Sequence, residues 1–145
     1  MDTILLSVAP YPTDSDNNRY ADTIMVTVYL FPDPVRHALP IHAAGSFRFR
    51  LTDPDGATLA EWHIPPEEVD RARVRTPPGP GYCLSLNIND VASDRVSVRS
   101  GSLTCTFEPL DGSEPVSVRG QSTVQIGPTG SVMGKSGQPR QMFVP

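Results

Sequence analysis

Between Ser46 and Ile64 apolar side chains return at every second position on both sides of the tetrad Asp53-Pro54-Asp55-Gly56. A strand repeats every two residues and a helix about every 3.6, so SFRFRLT and ATLAEWHI read as strands that face one core. Proline suits the second position of a type I turn, and glycine accepts the positive φ that closes it, so the unit is a hairpin. With those four residues as the loop, the expected register sets Phe47 opposite Trp62, Phe49 opposite Ala60 and Leu51 opposite Thr58 on one face. On the other face it sets Arg48 opposite Glu61. Trp62→Ala is expected to cost about 3–5 kcal/mol, the range for deleting a large core aromatic.

The same alternation recurs along the chain. Thr23 to Phe31 (TIMVTVYLF) puts Ile24, Val26, Val28 and Leu30 on one face and Met25, Thr27, Tyr29 and Phe31 on the other, which predicts a central strand. Tyr82, Leu84, Leu86 and Ile88 alternate inward, as do Leu103, Cys105 and Phe107. After the Pro109-Leu110-Asp111-Gly112 turn the chain returns through Val116 and Val118, then Val124 and Ile126, as a second hairpin. Thr3 to Ala9 reads as a strand and Arg95 to Arg99 as a weaker one. Pro32 to Ala44 holds three prolines and is a long connection. Pro65 to Arg71 predicts a single helical turn, Arg73 to Thr76 a short edge strand and Pro77 to Gly81 a rigid turn.

Sixteen prolines and eleven glycines among 145 residues supply the turns that many short strands need. Runs rich in Ala, Leu, Glu and Lys are missing. The predicted architecture is all-β, a two-sheet antiparallel sandwich of seven or eight strands, immunoglobulin-like or C2-like, with Phe47, Phe49, Trp62, Leu84, Leu86 and Phe107 in its core. Residues 1–22 are expected to form an amino-terminal strand and linker, 23–127 the sandwich, and 128–145 a flexible tail rich in Gly, Pro, Ser and Gln.

A net charge of −4 gives no general attraction to nucleic acid or anionic lipid. Arg48 and Arg50, with Arg73 and Arg75, read as a solvated face salted by Glu61, Glu67 and Glu68, because Phe47 and Phe49 point away from where bases would stack. Met1 to Pro10 has Asp2 in place of a basic leader region and only a short apolar run, so it reads as neither a signal peptide nor a membrane span.

No cofactor motif is present, and Ser, His and Asp occur without the context of a catalytic site, so no enzyme is expected. Regular alternation puts Cys105 on the core face and Cys83 on the opposite face of its strand. A bulge in either strand would reverse one face and allow an inter-sheet disulfide. His37, His42 and Asp33 are conceivable metal ligands, but their prolines exclude the helix that gives such spacings meaning. Asp33, Asp53, Asp55 and Asp111 resemble the aspartate loops of calcium-binding C2 domains, and they are also the residues that tight turns use.

The segments IMVTVYLF, GSFRFRLTDPDG and AEWHIPPEEVDRARVRTPPGPGYCLSL together resemble uncharacterised β-sandwich domains of bacterial envelope proteins, of planctomycete type, over about residues 22–127. The resemblance implies an envelope location and no active-site residues. No lipidated cysteine follows an apolar leader here, which departs from the lipoprotein members.

Two functions fit these observations. In the first the sandwich is a structural or assembly subunit whose terminal segments reach a protein neighbour or a second copy, through Ile4, Leu5, Leu6 and Phe143. In the second it is a monomeric binding module that engages a protein or glycan with loops 32–44 and 65–81.

Overall fold

The computed structural model describes residues 2–9, 12–14, 17, 19–20, 22–33, 35–36, 39–92 and 99–127. Among these residues nine strands and one short α-helix follow in the order β1 (Thr3–Val8), β2 (Thr23–Phe31), β3 (Gly45–Thr52), β4 (Thr58–Ile64), α1 (Pro66–Arg71), β5 (Arg73–Thr76), β6 (Gly79–Asn87), β7 (Ser100–Pro109), β8 (Val116–Ser117) and β9 (Ser122–Gln125), with a 3-10 turn at Ile88–Asp90 after β6. Every pairing is antiparallel. One sheet runs β1-β2-β6-β5, and the other runs β4-β3-β7 with β8 and β9 both on the far side of β7. Read as A-B-E-D against C′-C-F-G, this is the strand order of an immunoglobulin-type sandwich. β8 and β9 act as one interrupted G strand, broken around Gly120.

The alternation that marks each strand is spent on one shared interior. Ile24, Val26, Val28 and Leu30 of β2 meet Phe47, Phe49 and Leu51 of β3 and Leu103, Cys105 and Phe107 of β7 in a single core. Phe47 sits at its centre, 5.9 Å from the ring of Phe49, 5.4 Å from Tyr82 and 5.4 Å from Phe107. These tilted and edge-on arrangements suit aromatic quadrupoles. Trp62 on β4 is buried and donates from Nε1 to the Asn87 carbonyl at 3.0 Å, tying the outer strand of one sheet to the other sheet. Leu86 and Ile88 are buried, while Leu84 is half-buried and packs at the margin of the core.

The first hairpin has a different register from the one expected. Phe49 faces Trp62, Phe47 faces Ile64, Leu51 faces Ala60, and Arg50 rather than Arg48 faces Glu61. Two single-residue irregularities add up to this shift. The turn closes tighter, with Gly56 N–H donating to the Asp53 carbonyl at 3.0 Å and Asp53 N–H to Ala57 at 2.8 Å, leaving three residues in the loop. Gly56 takes φ +91°, as a three-residue loop of this kind requires. A bulge at the Leu51/Thr52 step then absorbs one further residue of β4, Leu59. A total slip of two preserves every inward side chain, because side chains change face with a period of two. The buried set is therefore the one read from sequence, with different partners.

Three further expectations are revised. Gly79, Pro80 and Gly81 belong to β6, so the turn after β5 is shorter than Pro77 to Gly81. Segment 65–81 is helix and paired strand, and Val69 of α1 is buried in the core. The amino-terminal strand, expected outside the sandwich of 23–127, is one of its strands: β1 pairs with β2 from Thr3↔Phe31 to Val8↔Val26. Most of the strand expected at 95–99, together with His37, Phe143 and the whole of 128–145, lies outside the described residues.

Candidate functional site

A sandwich of two open sheets has edges, and an edge strand offers unpaired N–H and C=O groups to any other strand unless something blocks it. Three of the edges here are blocked. β5 carries the exposed Arg73 and Arg75, with Arg73 held to Asp70 at 2.8 Å, and Pro77 and Pro78 form the turn that follows it. β4 presents Glu61 and His63 and carries the bulge. The G edge is split into pieces of two and four residues.

β1 has none of these protections. Its residues, TILLSV, include no charge and no proline, and it pairs without a bulge. Ala9 N–H donates to the Met25 carbonyl at 2.9 Å, which makes the odd-numbered residues of this strand the ones bonded to β2. The backbone groups of Ile4, Leu6 and Val8 therefore point away from the sheet, and among the described residues nothing outside the strand bonds to them. The side chains alternate in the opposite sense. Ile4 and Leu6 are buried in the protein's own core, so neither is available to a neighbour as a side chain, while Leu5 is 52% exposed on the outer face. Beside Leu5 on that face lies Tyr29, while Met25, 40% exposed, lies on the same face toward the Ala9 end of the strand, and the exposed thiol of Cys83 follows Thr27 one strand further in.

A second feature occupies the end of the sandwich where β2 passes into β3 and β7 turns into β8. A hollow of about 390 Å³ lies there between Ala43 and Ala44 on one side and Phe107, Pro109, Leu110, Asp111 and Ser113 on the other. Leu110, Val35 and Leu39 are exposed apolar residues at the same end. Sequence reading passed over Leu110, although a leucine between proline and aspartate in a tight turn has no core to enter.

The end of the 32–44 connection next to β3 is fixed. The Tyr82 hydroxyl donates to the Ala43 carbonyl at 2.9 Å and accepts from Ala43 N–H at 2.8 Å. His42 Nε2 bonds the Gly81 carbonyl at 2.9 Å, and its ring meets Tyr82 edge-on at 5.0 Å. Burial raises the Tyr82 phenol above its ordinary pKa, against the lowering effect of its Ala43 bond.

The remaining sequence candidates have local roles. Asp33 Oδ1 accepts from the Val35 and Arg36 N–H groups, Asp53 Oδ1 from Asp55 and Ala57, and Asp111 Oδ1 from Ser113, so each carboxylate is spent on its own turn. The Ser113 hydroxyl and N–H also hold the Asp111 carboxyl below its usual pKa. Arg48 pairs with Glu108 at 3.8 Å and Arg50 with Glu61 at 3.5 Å, exposed pairs that salt the outer face of the second sheet. Among the described residues no three His, Cys, Asp or Glu side chains converge as a metal site, and no helix is long and apolar enough to cross a membrane. Cys105 is a buried free thiol, pushed up to about 12 by burial, and Cys83 is exposed on the other side of its sheet. No protein-family model, curated protein or solved structure matches the chain.

Proposed function

We propose that this chain is a non-catalytic assembly module, which joins a protein partner by accepting a β-strand along β1. The observation that carries the reading is the contrast among its edges: among the described strands β1 alone is an edge of six residues with no bulge, no charge and no proline. Strand addition uses main-chain hydrogen bonds for affinity and alternate side chains for selectivity, and it needs no pocket. The buried Ile4 and Leu6 anchor the strand, so its outward backbone is held ready for a partner at little ordering cost.

A strand peptide of alternating Thr and Val, titrated into isotope-labelled protein, tests the edge directly. Amide shifts centred on Ile4, Leu6 and Val8 are expected. Shifts confined to other strands, or none at saturating peptide, would remove the reading.

A second reading, a loop-end binding module, rests on Leu110 at the hollow and on the exposed Val35 and Leu39 of the 32–44 connection. With 65–81 folded into helix and strand, its surface reduces to the 32–44 connection and the Leu110–Ser113 turn. Leu110→Asp then abolishes partner binding while leaving peptide addition at β1 unchanged.

A further inference from the structure

We infer that the strand added at β1 is β1 of a second copy, placed antiparallel across a two-fold axis at Leu5 to make one continuous eight-stranded sheet across the two copies. The inference rests on the strand-addition reading and names its partner.

A two-fold axis brings each residue against its own mirror position, so a self-pairing strand must not set like charges opposite one another. With the axis at Leu5, Ile4 lies opposite Leu6 of the second copy, Thr3 opposite Ser7 and Asp2 opposite Val8. The single charge near this strand therefore meets an apolar residue. The backbone parity also agrees. Ile4 and Leu6 are the residues whose N–H and C=O point outward, so the Ile4–Leu6 positions become hydrogen-bonded pairs, and Leu5 becomes the closer, non-hydrogen-bonded pair. The two Leu5 side chains, each 52% exposed in the single chain, then cover one another on the outer face, with Tyr29 as the cross-strand neighbour of each. Ile4 and Leu6 of each copy stay in their own cores, so neither copy has to unfold to pair. β5 offers no equivalent: pairing it with itself about an axis at Val74 sets Arg73 directly against Arg75 of the second copy, like charges opposite one another at the seam.

A seam of one strand pair is small, which places it among weak, concentration-dependent contacts. Light scattering on the full chain is expected to show a mass rising from 15.7 kDa toward twice that value between micromolar and millimolar concentration. Leu5→Lys sets two ammonium groups opposite one another and weakens the dimer about tenfold or more. Val8→Pro removes one outward N–H at an edge position where proline is tolerated, and also weakens it. Met25→Lys, one strand further in on the same face, leaves the dimer in place. Circular dichroism and Trp62 fluorescence confirm the fold of each variant.

A dimer lost in Met25→Lys and kept in Val8→Pro would mean that the outer faces stack, which overturns the inference. A wild-type chain monomeric up to millimolar concentration overturns it as well. In that case binding of the Thr/Val peptide decides separately whether β1 accepts strands at all.

Discussion

The two edges of the four-stranded sheet solve opposite problems. β5 is short and lies outside the core: Arg73 and Arg75 are exposed. Its attachment is made on the outer face, where the Tyr29 ring from β2 lies over Gly81 and its hydroxyl bonds Thr76 Oγ1 at 2.7 Å. A Cβ at Gly81 would come within 2.9 Å of that ring, so glycine is what lets the tyrosine cover this side. β1 is held from the inner face instead, by Ile4 and Leu6, and its outer face shows Leu5 to solvent. An edge can thus be closed to other strands by charge or left open by its absence, independently of how firmly it is fixed to its own sheet.

The contrast can be broken at several points. Leu6→Ala removes a buried anchor of β1 and should cost about 2–5 kcal/mol in urea unfolding, with loss of assembly as the strand detaches. The equivalent change on β5, Arg73→Ala, should cost no more than about 1 kcal/mol, since an exposed ion pair is all it removes.

Alkaline pH gives the next largest effect and tests the interior that β1 helps to seal. Cys105 stays protonated in the folded chain until about pH 12, whereas an ordinary thiol ionises near 9.0. The unfolded chain therefore releases this proton first. Stability is whole below pH 9 and falls between those values by about 1.4 kcal/mol per pH unit from this group. Cys105→Val should flatten that limb of the pH–stability curve. In the native protein one thiol, Cys83, reacts with a disulfide reagent, and the second reacts only on unfolding.

Tyr29→Phe takes away the bond to Thr76 and should cost about 0.5–1.5 kcal/mol, with faster amide exchange in β5 and none of that change in β1. Smallest in stability and most telling for the edges is Arg73→Val with Arg75→Val, within about 1 kcal/mol of wild type. Stripped of its charges, β5 becomes a second open edge. Species larger than a dimer are then expected in light scattering, whereas a charge-bearing β5 caps the sheet.

Reading the hairpin shows how far sequence reaches. Alternation named Phe47, Phe49, Leu51, Ala60 and Trp62 as one face, and that face is buried. The partners were two residues out, because neither the three-residue loop nor the bulge that takes up Leu59 leaves a mark in a pattern of period two. At the amino terminus the apolar run was plain, but its residues serve two ends. Ile4 and Leu6 go inward, and only Leu5 and the backbone remain for a partner. The hollow by Leu110 was not legible, since it is made by two connections about 70 residues apart in the chain meeting at one end of the sandwich.

What the amino-acid order determined alone is local: where strands run, which side of each is apolar, where Pro and Gly turn the chain, and that Cys105 faces inward while Cys83 does not. Tertiary structure decided which strands are neighbours, which became edges, and which of those edges was left without charge. The reason is that the ladder hydrogen bonds between any two antiparallel strands are chemically the same, so neighbour choice depends on packing between distant segments. TILLSV is an ordinary apolar strand on paper, and only its place at the end of the four-stranded sheet, with no described strand hydrogen-bonded to its outer side, makes it a candidate for docking.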